Sequence, residues 1–455
     1  MTWDGRVHFV GVGGAGMSAI AKVLVEQGVE VSGSDIKPSP AAAVLEAMGA
    51  TIRIGHDARL VEGCGAVVVS SAIPPSNPEL ARARELGVPV LSRGQALALV
   101  LENRRPIVVA GTHGKTTTTS MIVSGLARAG LEPTYLVGGE LNDAGTNARL
   151  GHGAVTVAEA DESDGSFLLL HAHIAVVTNI EADHLDHWGS IEAIRDGFAE
   201  WIEGVLAGGS VVLPSGEVEL IARATDQGVR VLTFGEGGSV RAEDVLLQRD
   251  GSSFTLCIGD ERAAAEIRVP GRLNVDNALA AAAACHAVGL TIEQCAEGLR
   301  AYGGVARRFQ KRGTRREVTV IDDYAHHPTE VRRIIDAARA GNPRRVVAVF
   351  QPHRYTRTEA LWREFGPAFE AADAIVLTDV YAAGEQPIPG VSGKLLAEAV
   401  STSLPGRAVA YLPHRDELVS YLLRASKPGD WVLTMGAGDI TSLGDELLAR
   451  LGGTT

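Results

Sequence analysis

Ile107-Val108-Val109-Ala110-Gly111-Thr112-His113-Gly114-Lys115-Thr116-Thr117-Thr118 runs from an apolar strand-like segment through two glycines into a lysine followed by threonines. The order is strand, phosphate loop, helix. In such a loop the backbone N–H groups cradle phosphate oxygens, Lys115 neutralises the β/γ charge and the Thr116 hydroxyl can ligate Mg2+. Gly111, Thr112, His113, Gly114, Lys115, Thr116 and Thr117 are therefore the candidate ATP-binding residues. A strict Walker A pattern needs glycine at position 109, where this chain has Val109, so the loop is a shortened variant.

Outward from this loop, short apolar runs alternate with amphipathic stretches, as in Val7 to Val10, Val29 to Val31, Ala66 to Val69 and Ile174 to Thr178. That alternation is the pattern of parallel α/β units. Upstream, Gly11-Val12-Gly13-Gly14-Ala15-Gly16 follows one such run, and Asp35 ends the next, completing a dinucleotide-type fingerprint. Glycines let the backbone approach a diphosphate, and a helix start supplies N–H groups and a positive dipole. The ligand stays open at this point, and a tight packing turn is the alternative. Glu102 to Pro106 interrupts the pattern, and Gly303 to Arg308 resembles a second hinge. Three α/β domains are expected, at residues 1–102, 103–304 and 305–455. Asp250-Gly251 between apolar triplets predicts a hairpin, hence an antiparallel flap on the central domain's parallel sheet.

Several clusters sit at expected strand ends, where α/β ligand sites form. Glu159-Ala160-Asp161-Glu162-Ser163-Asp164 offers four carboxylates, of which Glu159, nearest its strand, is the Mg2+ candidate. Glu181 to His187 places two histidines among three carboxylates, which favours a metal or substrate role, with His184 preferred. Asn274 and Asn277 are one helical turn apart and suit either helix capping or a purine or ribose edge. Arg307 and Arg308 lie at the second hinge, where a guanidinium could swing onto the γ-phosphate or bridge domains. Farther on stand Asp322-Asp323-Tyr324-Ala325-His326-His327-Pro328 and Gln351-Pro352-His353-Arg354-Tyr355-Thr356-Arg357. Arg354 and Arg357, one turn apart if helical, could fork onto a small carboxylate.

Composition narrows the classes. With 42 Lys plus Arg against 55 Asp plus Glu, the formal charge is −13, and no basic run offsets it, so no nucleic-acid partner is expected. Apolar residues at 45% and charged ones at 21% fit a soluble globular enzyme and exclude disorder and collagen-like structure. No apolar stretch of about 18 residues occurs and no leader-like series precedes the first strand, so a cytoplasmic protein without membrane insertion is expected. The four cysteines lack CxxC spacing and read as small buried apolar residues.

Gly-Thr-His-Gly-Lys-Thr-Thr-Thr at Gly111, Thr-Asn-Ile-Glu-Ala-Asp-His at Thr178, Gly-Arg-Leu-Asn-Val-Asp-Asn at Gly271, Arg307-Arg308-Phe309 and Asp322 to Pro328 together resemble the Mur ligases, over nearly the whole chain. Gly11 to Ser18 and Phe350 to Thr358 resemble the alanine-adding branch. The resemblance implies an N-terminal UDP-binding Rossmann-like domain, a central P-loop ATPase and a C-terminal Rossmann-like domain that receives the amino acid. It implies ATP-dependent joining of L-alanine to the lactyl carboxylate of UDP-N-acetylmuramate through an acyl phosphate, in peptidoglycan precursor synthesis, by a monomer or homodimer. By the same match Gly13, Gly14, Ala15 and Gly16 face the UDP diphosphate, with Ser34, Asp35, His56 and Ser71 near the nucleotide. Lys115 and Thr116 take ATP phosphates and Mg2+, Glu159 a first metal and His184 a second. Asn274, Asn277, Arg308 and Asp323 surround ATP, while Tyr324, His326, Arg354 and Arg357 receive L-alanine. Other Mur ligases carry a carbamylated lysine where this chain has Phe198, as alanine-adding members do. A tripeptide-adding recycling ligase, an NAD-dependent oxidoreductase and a non-catalytic nucleotide sensor are the competing readings.

Overall fold

The computed structural model describes residues 3–70 and 72–453, and of Asp186 only the backbone. Ser71, one of the expected nucleotide neighbours, lies outside the described residues. The chain forms a three-domain α/β architecture with one sheet per domain. The first is a five-stranded parallel sheet of Arg6–Val10, Val31–Asp35, Thr51–Ile54, Cys64–Val69 and Val90–Ser92, ordered third, second, first, fourth, fifth. Order reverses between the first and fourth strands, and the first glycine loop leaves the sheet there. Helix starts carry the expected chemistry: Ser92 caps Arg93–Leu101 in a reciprocal box with Gln95, and Asn77 with Pro78 starts Pro78–Glu85.

The central sheet has ten strands. In its middle Arg105–Ala110 pairs in parallel with Val155–Glu159 on one side and Ile174–Val177 on the other. Every residue of Ile107–Ala110 and of Ile174–Val177 is buried, as strands covered on both faces must be. Val240–Gln248, Gly251–Ile258 and Glu261–Ile267 occupy one margin, which is where the Asp250-Gly251 turn predicts a flap. The C-terminal sheet has six strands, of which Gln310–Arg315 is antiparallel to Val318–Asp323 and the others are parallel. Apolar clusters cover both of its faces, one around Phe350, Phe365 and Phe369 and one around Leu418, Leu443 and Leu447.

Packing divides the chain into two compact units: Met1–Asp244 with Phe254–Glu266 and Asp276–Gly303, and Val245–Ser253 with Ile267–Val275 and Gly304–Thr455. The first unit holds two sheets because one apolar cluster runs from Val7 and Phe9 to Val108, Phe198 and Leu213. Polar contacts reinforce that seam: Lys22 Nζ donates to Thr146 Oγ1 at 2.6 Å, and Arg93 Nη2 to Asp161 Oδ2 at 2.8 Å. All four cysteines are free and buried. Among the described residues no helix is long and apolar enough to cross a membrane.

Candidate functional site

The three adjacent central strands bring Gly111–Lys115, Glu159–Glu162 and Thr178–His184 to one sheet edge. Asn179 fastens the glycine loop there, accepting from His113 N at 3.0 Å and donating to His113 O at 2.9 Å, while Thr178 Oγ1 donates to the same carbonyl at 2.6 Å. The His113 amide is thereby spent on Asn179, while the amides of the first turn of helix Lys115–Arg128 have no partner within their own helix. Gly114 caps that helix at φ +79°, and a Cβ there would lie 2.3 Å from Asn277 Oδ1, so only glycine fits.

Within this frame Thr116 Oγ1 donates to Glu159 Oε1 at 2.9 Å, and Glu159 Oε2 accepts from Gly138 N at 2.7 Å. Lys115 Nζ bends back to Gly111 O at 2.7 Å and Thr112 O at 3.2 Å, and reaches both oxygens of Glu162 at 2.8 and 3.0 Å. Burial alone would drive this ammonium toward neutrality, but Glu162, Glu159 and Asp161 outweigh it and hold Lys115 above the ordinary lysine range. Asp161 is kept low despite burial by the Ser163 hydroxyl, Arg93 and Lys115. His184, at φ +52°, sits 3.8 Å from Glu162 Oε1 and 3.6 Å from Asp183 Oδ2. Among the described residues no three His, Cys, Asp or Glu side chains converge as a metal cage.

The first glycine loop is held by the carboxylate expected near a nucleotide: Gly13 N donates to Asp35 Oδ2 at 2.9 Å. Ser34 Oγ is likewise engaged, donating to Glu79 Oε2 at 2.7 Å, and His56 Nδ1 lies 3.1 Å from Glu79 Oε1.

Asn274 and Asn277 part company. Asn274 Nδ2 donates to Pro270 O at 2.7 Å from within helix Arg272–Val288, whereas Asn277 stands against Gly114. Arg307 Nη2 donates to Gly436 O at 2.6 Å and to Gly438 O at 3.1 Å. Arg308 and Arg307 both stack over Tyr324. Asp323 is buried, accepts from the amides of Phe309 and Ala325 at 2.7 Å each, and is pushed up to about 6 by that burial against the pull of Arg308.

Tyr324, His326, His353 and Tyr381 form one aromatic stack, with His353 parallel to Tyr381 and 5.7 Å from it. Burial lowers His326 to about 4 against Glu330, and lowers His353 to about 4 with help from His326 and Arg357. Arg357 Nη1 lies 3.3 Å from His353 Nδ1. The expected helical fork changes here: Arg354 has φ +70° and precedes helix Tyr355–Ala368, so only Arg357 is helical.

Phe198 is fully buried in an aromatic core, 4.9 Å from Phe167 and 6.4 Å from Trp201, and Phe167 in turn meets Trp188. Three groups were not singled out from sequence. Glu162 is one of four neighbouring acids with nothing local to distinguish it. Glu79 and the Arg93–Asp161 pair depend on residues 68 to 71 positions apart.

Three family models match in succession: "Mur ligase family, catalytic domain" at residues 6–105, "Mur ligase middle domain" at 109–285 and "Mur ligase, glutamate ligase domain" at 307–438. Among curated relatives, the UDP-N-acetylmuramate–L-alanine ligase of Rubrobacter xylanophilus is 49% identical, covering 98% of this chain and 100% of its own. That of Desulforamulus reducens is 46% identical with 98% of both covered. Among solved structures, the UDP-N-acetylmuramate-alanine ligase of Thermotoga maritima aligns at TM-score 0.83 and 30% identity over 98% of both chains. A murein peptide ligase from Psychrobacter arcticus aligns at 0.72 and 26%, over 99% of this chain and 100% of the other.

Proposed function

This chain belongs to the Mur ligase family, and we propose that it joins L-alanine to the lactyl carboxylate of UDP-N-acetylmuramate, with ATP cleaved to ADP and phosphate, in peptidoglycan precursor synthesis. The observation that carries this reading is the grouping of Lys115, Thr116, Glu159 and Glu162 at one edge of three parallel strands. The alanine-adding relatives favour the single amino acid over the tripeptide. Domain limits at 1–102, 103–304 and 305–455, each with its own sheet, belong to the same proposal, as do a cytoplasmic location and a monomer or homodimer.

A carboxylate is a poor electrophile and its oxygen a poor leaving group; phosphorylation remedies both. The γ-phosphoryl passes from ATP to a lactyl oxygen, ADP leaves, the alanine nitrogen attacks the acyl carbon, and phosphate departs as the amide forms. Lys115, released from Glu162 by the incoming phosphates, neutralises charge where two anions meet. Thr116 and Glu159 fit Mg2+, since a hydroxyl and a carboxylate oxygen 2.9 Å apart are hard oxygen donors of the kind that ion takes. When bound, that ion offsets the charge developing between the phosphates. His184, 3.8 Å from Glu162 Oε1, is the residue proposed for a second metal. Arg308 and Asp323 act from the C-terminal domain, with Tyr324, His326, Arg354 and Arg357 around the amino acid. The base for the ammonium of alanine lies among His184, His326 and solvent, and burial makes His326, at about 4, a weak base in this state.

The test is phosphate release from MgATP with UDP-N-acetylmuramate, comparing L-alanine, the L-Ala-γ-D-Glu-diaminopimelate tripeptide and no amine. Turnover with L-alanine alone is expected. Turnover with only the tripeptide reassigns the chain to recycling, and none with either removes the ligase reading.

A further inference from the structure

Glu79 is a fully buried carboxylate, 0% exposed, that no catalytic step above uses. It stands at the start of helix Pro78–Glu85 and collects donors from three other segments: Ser34 Oγ at 2.7 Å, His8 Nε2 at 3.1 Å, and His56 Nδ1 and Asp57 N at 3.1 Å each. Burial pushes such a group up, yet the bonds from His8, Ser34 and the Asp57 amide outweigh it and hold Glu79 below the usual glutamate value, so it is ionised and accepts on both oxygens. A carboxylate that only accepts requires a proton on each facing ring nitrogen, which puts hydrogen on Nε2 of His8 and on Nδ1 of His56. His8 can then accept from Ser32 Oγ, 2.9 Å from its Nδ1. For neutral His56 the other nitrogen, Nε2, carries the lone pair.

His56 is partly exposed and follows strand Thr51–Ile54, whose end is tied to Asp35 through Gly55 N to Asp35 O at 2.8 Å. It therefore stands at the carboxyl edge beyond the second strand, the side on which α/β nucleotide folds hold the nucleoside. We propose that Glu79 is a positioning residue that fixes His56 as the Nδ1–H tautomer, so that its Nε2 lone pair accepts from the N3–H of a uracil base. The inference rests on the reading of the first glycine loop as a UDP site. Cytosine has a lone pair at N3 and would face another lone pair; uracil forms the bond. A purely structural Glu79 would have no effect on which base binds.

The full chain with 15N-labelled histidine reports the tautomer directly, with His56 identified as the signal lost in His56→Gln. Nδ1 should carry the proton in the native chain, and Glu79→Leu, which offers His56 no acceptor, should shift His56 toward the Nε2–H form; Glu79→Gln, whose amide oxygen stays with the Asp57 N–H, should not. Titration with UDP and CDP should show a preference for UDP of about tenfold or more, falling to near unity in both Glu79→Leu and His56→Gln. In turnover, Glu79→Leu should raise KM for the nucleotide sugar about tenfold while kcat and the KM values for ATP and L-alanine stay within about twofold. A proton on Nε2 in the native chain, or equal binding of UDP and CDP, overturns the proposal alone; failure to bind either nucleotide overturns it together with the UDP reading. UDP preference without ligation would leave the proposal standing and remove the ligase. Should Glu79→Leu not fold, the native tautomer and the His56→Gln titration decide.

Discussion

Two regions of this chain hold ionisable groups at sheet edges in opposite ways. Around the second glycine loop charge is held by partners within 3.0 Å. Glu162, Glu159 and Asp161 keep Lys115 high, and Ser163, Arg93 and Lys115 keep Asp161 low; of Lys115, Asp161 and Glu162, only Glu162 is moved by burial toward its neutral form. In the C-terminal domain burial drives groups toward neutrality: His326 and His353 fall to about 4, and Asp323 rises to about 6. A site that handles phosphate needs fixed charge, and one that receives a small amine acceptor can be dry. Lys115→Ala strikes the charged region hardest. Turnover measured by phosphate release should fall by about 10³-fold or more, while UDP binding to the first loop is retained. A residual rate within tenfold of the native one would refute the charge-neutralising role.

Next in size is Gly13→Ala. A Cβ at Gly13 would lie 2.7 Å from Ser39 Oγ and 2.8 Å from Asp35 Oδ2, so the loop must shift and its bond to Asp35 is strained. KM for the nucleotide sugar should rise about 100-fold with KM for ATP little changed, because the second loop is built from separate residues. Equal loss at both sites would mean that the loops are not independent. A smaller effect is expected from Glu162→Gln, which leaves buried Lys115 facing an amide. About 2 kcal/mol of stability should be lost, and MgATP, whose phosphates replace the carboxylate, should restore more of the melting temperature than it adds to the native chain. An identical MgATP shift in both chains would show that Lys115 does not exchange Glu162 for phosphate.

What the sequence made legible follows the same division. The strands around Gly111 announce themselves because runs such as Ile107–Ala110 are buried on both faces, and Thr116 meets Glu159 because loop and acid follow neighbouring parallel strands. Asp250-Gly251 marks its hairpin through turn chemistry alone. Glu79 and Glu162 were not legible as buried anchors, since an acid's burial is decided by donors that arrive from distant segments. Arg307 and Arg354 show the limit of spacing arguments. One is captured by the carbonyls of Gly436 and Gly438 from far along the chain, and the other adopts a positive φ that removes it from the helix its neighbours form. Phe198 was visible as a departure, but its partners Phe167 and Trp201 became apparent only once the helix was packed.

The smallest expected effect sharpens the contrast from the neutral side. His326 and His353 titrate near 6.5 when unfolded and near 4 when folded, so the folded state prefers them unprotonated. Their contribution is fully present above pH 6.5 and is lost as pH falls toward 4. Asp323 has the opposite sign: its folded value of about 6 lies above 3.8, so its contribution is present below pH 3.8 and is lost as pH rises through 6. Between pH 6.5 and 4 two histidines therefore weaken the domain while one carboxyl strengthens it, and the balance is a loss on acidification. His353→Asn removes one of the two histidines and should bring the opposing shifts near cancellation, reducing the acid-induced loss by on the order of 1.5 kcal/mol once partial exposure is allowed for. Hydrogen exchange of the buried strand Asp430–Met435, compared at pH 6.5 and pH 4.5 after correction for intrinsic rates, reads this domain apart from the rest. An unchanged pH dependence in the variant would place the acid sensitivity outside the histidine stack and dissolve the contrast between a charged region and a dry one.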